Sequence, residues 1–246
     1  MRHNTVISLG AHCDVAFAIR WFFGTKTVSP FDWLVTPCEA MAAILREEGD
    51  GLGREFEVVQ AGQTVQCRRY GVLYHHEFPR DPATANLQFS VDAIESCRSK
   101  LAHKMVRMRT LARASRPLFI RYGVGGGGGK HNYAPVETPD LIELDEALRA
   151  FCGHDDFRLT IVQQHGDRAN LGGIADPSAL PSRFSIRHEG YKNGFDATHH
   201  EDWGAFFRDH GFGREDDITL SGRREESDAW VVDVMDLEAA NRAVQF

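Results

Sequence analysis

Short apolar runs alternate with amphipathic segments along the whole chain, and that order leaves few architectures open. Val6, Ile7 and Leu9 lie in a strand-like run that ends at Gly10. Val15, Ile19 and Phe22 then recur at helical spacing on one face until Gly24. The unit reads as strand, tight turn, helix, with Cys13 in the first turn of the helix. Thr36-Pro37-Cys38-Glu39 has the form of a helix start: Thr36 as N-cap, Pro37 at the first helical position and Glu39 completing a capping box. A long helix is expected over residues 86–114, where Leu87, Val91, Ile94, Leu101, Met105, Met108 and Leu111 keep three- and four-residue spacings. Another begins at Pro139 with Leu141, Leu144, Leu148 and Phe151 as its stripe. Strands are expected near residues 71–78, 118–122, 157–162, 183–187 and 230–234, and a helix over 201–209. Strands alternating with helices predict an α/β fold: a single layered domain over residues 1–246, with a mostly parallel sheet flanked by helices.

Composition narrows the function classes. A chain of 246 residues with 42% hydrophobic and 26% charged residues can bury a sizeable core. No apolar run approaches the ~20 residues of a membrane helix, and no signal peptide is expected, since the first residues lead directly into a strand. Cysteines stand at 13, 38, 67, 97 and 152, an odd number with no CxxC pair. A disulfide framework and a zinc ribbon are therefore not expected, and a reducing cytoplasm is the expected location. Net charge is −7, unevenly spread. Residues 98–121 hold eight Lys or Arg and no acid, while the remaining 20 basic residues face 35 acidic ones, a balance of −15. Such a segment suits either the solvated face of a long helix or an anionic partner. No zinc finger or RNP-like motif accompanies it, so nucleic acid is not the expected partner.

Two familiar site motifs fail on spacing. The glycine run 125–129 precedes Lys130, but Val124 stands where a phosphate loop needs its first glycine, and His131 follows the lysine instead of Ser or Thr. Five glycines in a row read as a mobile loop. His76-Glu77 and His200-Glu201 each lack the second histidine of a zinc-protease motif, and adjacent side chains on a strand face opposite sides. Neither a metal nor a cofactor is expected. Cys13 carries more chemistry. Unpaired N–H groups and the macrodipole at a helix N-terminus stabilise a thiolate, and the same N–H groups can hold an oxyanion. The alternative is a small cysteine packed behind the first strand.

Ser8-Leu9-Gly10-Ala11-His12-Cys13, Ser29-Pro30-Phe31-Asp32-Trp33, His76-Glu77-Phe78 and Phe119-Ile120-Arg121 together resemble a bacterial family of unknown function described as papain-like cysteine peptidases. The resemblance covers about residues 5–121. It implies Cys13 as nucleophile and His76 as base, with His12 and His75 as rival bases or ligand-binding groups. Asp32 would orient the imidazole, with Glu77 or Asp81 behind it. Asp32 also has a local reading, as the cap of its own turn. The function expected is a cysteine-dependent hydrolase or acyltransferase acting on an amide or thioester. Two alternatives stay open: a non-catalytic module binding a glycan or nucleotide-sugar, with Arg121 and the basic helix toward an anionic ligand, and a glycan-processing enzyme using carboxylates such as Asp32 and Glu77.

Overall fold

The computed structural model describes residues 3–11, 13–23, 29–59, 64–74, 76–84, 86–123, 136–164, 177–189, 197–212, 222–224 and 230–232. The glycine run at 125–129 lies outside them. In chain order the elements are β1 (Thr5–Ser8), α1 (Asp14–Phe23), α2 (Cys38–Arg46), β2 (Phe56–Val59), β3 (Thr64–Cys67), β4 (Leu73–Tyr74), α3 (Val91–Ala114), β5 (Pro117–Gly123), α4 (Thr138–Cys152), β6 (Arg158–Gln164), β7 (Phe184–Glu189), α5 (Ala197–Asp209), β8 (Gly222–Arg224) and β9 (Trp230–Val232). Four strands form a parallel sheet in the order β1-β5-β6-β7. The expected α/β fold with a mostly parallel sheet is what the chain adopts. A three-stranded antiparallel sheet, β2-β3-β4, and the antiparallel pair β8-β9 complete the described strands.

Period-two alternation in the parallel strands divides the core into two layers. Val6, Leu118, Ile120, Tyr122 and Val162 face α1 and α5, where Phe22, Phe23, Trp203, Phe206 and Phe207 pack as a mostly aromatic layer. Phe22 and Phe23 each stand 4.8 Å from Phe207, in the tilted and edge-on contacts that aromatic quadrupoles favour. Ile7, Leu9, Phe119, Leu159 and Ile161 face the other way, toward α2, α3, α4 and the small sheet. Arg121 shares the parity of Phe119, so its side chain starts out on the α2 side of the sheet.

Two helix starts differ from expectation for local reasons. Pro37, not Thr36, is the N-cap of α2, and it makes no side-chain cap bond. The Thr36–Glu39 capping box does not form; the Thr36 carbonyl instead accepts a hydrogen bond from Arg121. Helix α3 begins at Val91 rather than near residue 86, because Leu87 is in a β-bridge with Arg80 and the Asn86 carbonyl accepts from the Asp81 N–H. Ser90 caps the helix, its Oγ accepting from the Ala93 N–H at 3.2 Å. Ser90→Ala should lower stability by about 1 kcal/mol, the usual effect of losing an N-cap oxygen, as read by urea denaturation. An unchanged midpoint would show that the cap contributes nothing here. Helix α4 starts as expected around Pro139, with Glu137 and Asp140 forming a reciprocal capping box.

Candidate active site

The turn after β1 is held from several sides. Leu9 N–H donates to the Ile120 carbonyl (2.8 Å) and Tyr122 N–H donates to the Gly10 carbonyl (3.1 Å), so the ladder continues past the strand. Gly10 and Ala11 then take left-handed backbones, with φ of 71° and 72°. Such a pair of residues reverses the chain within a few atoms, at a strain cost of about 1–2 kcal/mol for the alanine. Phe17 N–H donates to the Cys13 carbonyl at 2.9 Å, which places Cys13 at the N-terminus of α1. This is the carboxyl end of a parallel strand, where α/β sheets present their ligand sites.

The five thiols differ sharply in setting. Cys13 is half-exposed, whereas Cys38, Cys67, Cys97 and Cys152 are buried. Burial pushes the Cys97 and Cys152 thiols up to about 12 and raises Cys38 as well.

Residues 29–35 form a compact turn against that strand end. Ser29 Oγ accepts from the Phe31 N–H at 3.1 Å, and Phe31 is fully buried. Asp32 is only 1% exposed, an unusual setting for a carboxylate. A capping role would use the N–H groups of Leu34 or Val35. Those donate elsewhere, to the Phe31 carbonyl (3.2 Å) and the Leu73 carbonyl (3.0 Å). Trp33 turns outward and stands edge-on to Phe17 of α1 at 5.0 Å and to His76 at 6.1 Å.

Phe17, Trp33 and His76 border an open cleft of about 500 Å³, together with Glu77, Lys100 and Lys104. Phe17 is one helical turn beyond Cys13. Side chains on a helix lean toward its N-terminus, so Phe17 leans back toward the turn that carries Cys13; Cys13 and Asp32 are not themselves among the residues lining the cleft. His76 is exposed in the turn after β4, which is only two residues long where a longer strand was expected. Glu77 is buried and forms an ion pair with Lys100. Asp81 is occupied locally: Oδ1 accepts from the Ala83 N–H, the Thr84 N–H and the Thr84 hydroxyl, bonds that hold its carboxyl below the usual range.

Arg121 is buried, donating from Nη1 to the Leu9 carbonyl (3.0 Å) and from Nη2 to the Thr36 carbonyl (2.7 Å). It ties the chain leaving β1 to the segment entering α2 and is not among the residues lining the cleft. Of the other sequence candidates, His12 and His75 lie outside the described residues. The cleft contributions of Phe17, Lys100 and Lys104 went unread in the sequence; the four-residue spacing of the two lysines was the available signal. No group of three or more His, Cys, Asp or Glu side chains that could hold a metal occurs among the described residues, and none of their helices is long and apolar enough to cross a membrane. Compared with known proteins, the chain matches no family model, no curated protein and no solved structure.

Proposed function

We propose that this protein is a cysteine-dependent hydrolase or acyltransferase acting on an amide or thioester, with Cys13 as nucleophile and His76 as base. The observation that carries this reading is the setting of Cys13. It is the thiol left accessible while the other four are buried, and it stands at a helix N-terminus one turn from an aromatic cleft that contains a histidine. In the proposed reaction His76 accepts the thiol proton and the Cys13 sulfur attacks the substrate carbonyl carbon. The N–H groups of the first turn of α1 hold the resulting oxyanion. As the tetrahedral intermediate collapses, the carbon–nitrogen or carbon–sulfur bond breaks and His76 returns its proton to the leaving group. Water or an amine, deprotonated by His76, then releases the acyl group from Cys13. Asp32, buried in the turn that carries Trp33, is proposed to orient the base. The glycan-processing alternative is less favoured, since Glu77 is held by Lys100 and buried. The binding-module alternative loses Arg121, whose guanidinium is engaged by backbone carbonyls.

Selective alkylation tests the reading. A thiol with a pKa of about 12 is thiolate to roughly one part in 10⁴ to 10⁵ at pH 7.5, so Cys97 and Cys152 should be inert in the folded protein. Mass spectrometry after iodoacetamide treatment should find Cys13 modified at least about 100-fold faster than the other four. His76→Ala should slow it about tenfold or more, and Asp32→Asn should slow it with the fold retained. A Cys13 rate equal to that of N-acetylcysteine and unchanged in both variants would overturn the assignment.

A further inference from the structure

The acid-free stretch of α3 and β5 is mostly neutralised from outside its own sequence. Arg98 pairs with Glu95 (3.1 Å), Lys100 with Glu77, Arg109 with Glu48 and Arg116 with Asp156 (2.6 Å). Arg113 approaches Glu48 at 3.9 Å and donates to the Phe151 carbonyl, and Arg121 binds two carbonyls. Lys104 and Arg107 differ. Among the described residues neither makes an ion pair or a hydrogen bond, although both are half-buried. Burial lowers the pKa of Arg107. At three-residue spacing the two side chains share one face of α3, and Lys104 lines the cleft beside Phe17, Trp33 and His76. Partly desolvated cations without a counter-charge are costly, and an incoming anion removes that cost.

We propose that Lys104, a lining residue of this cleft, binds an anion there with Arg107 supporting it from the next turn of the same face of α3, and that the substrate carries an oxyanion, a carboxylate or phosphate, a short distance from the bond attacked by Cys13. The apolar or ring part of the substrate would lie against the edges of Phe17 and Trp33. The inference rests on the reading of Cys13 as nucleophile for the position of the reacting bond; the anion site itself does not depend on it.

Paired reagents separate the two. Iodoacetate and iodoacetamide meet the same thiolate, so the ratio of their rates at Cys13, referred to the ratio for N-acetylcysteine, cancels any change in Cys13 ionisation and reports only the preference for negative charge. The expected ratio is about tenfold above the reference at low salt, falling toward it in 0.5 M NaCl as the field is screened. Lys104→Gln and Arg107→Gln should each reduce it. Phenylacetate or phenyl phosphate at millimolar concentration should protect Cys13 from iodoacetamide where phenylacetamide does not, and whichever anion protects better identifies the oxyanion. A ratio at the reference value in the unmodified protein, or protection by neither anion, would overturn the anion site. An ordinary iodoacetamide rate with a raised ratio would instead defeat the nucleophile and leave the anion site standing.

Discussion

Arg121→Lys should destabilise the protein by about 3–5 kcal/mol, more than Arg121→Met, which should cost about 2 kcal/mol. The order is counter-intuitive for a conservative exchange and follows from geometry. The guanidinium fork spans the carbonyls of Leu9 and Thr36, 27 positions apart in sequence, from a side chain that is only 2% exposed. A lysine keeps the charge in the same buried place but has one ammonium and no planar fork, so the cation is left under-coordinated. Methionine orphans the two carbonyls yet brings no charge to desolvate, and it fills similar volume. Urea denaturation of the three proteins reads the order directly. If Lys were tolerated better than Met, the positive charge itself would be what the site needs, and Arg121 would have to be read as a group facing an anion.

Gly10→Ala should cost about 2–4 kcal/mol and slow Cys13 alkylation about tenfold. Two effects add. At φ of 71° any side chain is strained, by about 1–2 kcal/mol. A Cβ there would also lie 3.0 Å from the Phe31 carbonyl oxygen and 3.2 Å from the Phe31 Cβ, so either the turn carrying Cys13 or the segment carrying Asp32 and Trp33 must move. Gly153→Ala is the natural control. Its φ is 75°, but an added Cβ has nothing within 4 Å, so it should show the strain alone and leave alkylation unaffected. Equal losses for the two variants would mean that the contact between Gly10 and Phe31 contributes nothing to positioning Cys13.

Local pattern was enough for much of this molecule. The strand-turn-helix unit around Cys13, the helix after Pro139 with its Leu141-Leu144-Leu148-Phe151 stripe, and the α/β class could all be read from the sequence, because each depends on residues within one or two turns of each other. Tertiary structure decided what those side chains meet. Periodicity at Leu87 imitated the helix that Ser90 actually caps, since the competing bridge to Arg80 depends on a chain reversal that spacing does not encode. The Thr36 capping box satisfied every local rule and yet did not form; its backbone carbonyl is engaged by a residue 85 positions away. Likewise the cleft draws Phe17, Trp33, His76 and Lys104 from four separate segments. Periodicity and capping are properties of consecutive residues. Coordination of a buried cation, and the shape of a cleft, are properties of chain segments that only packing brings together.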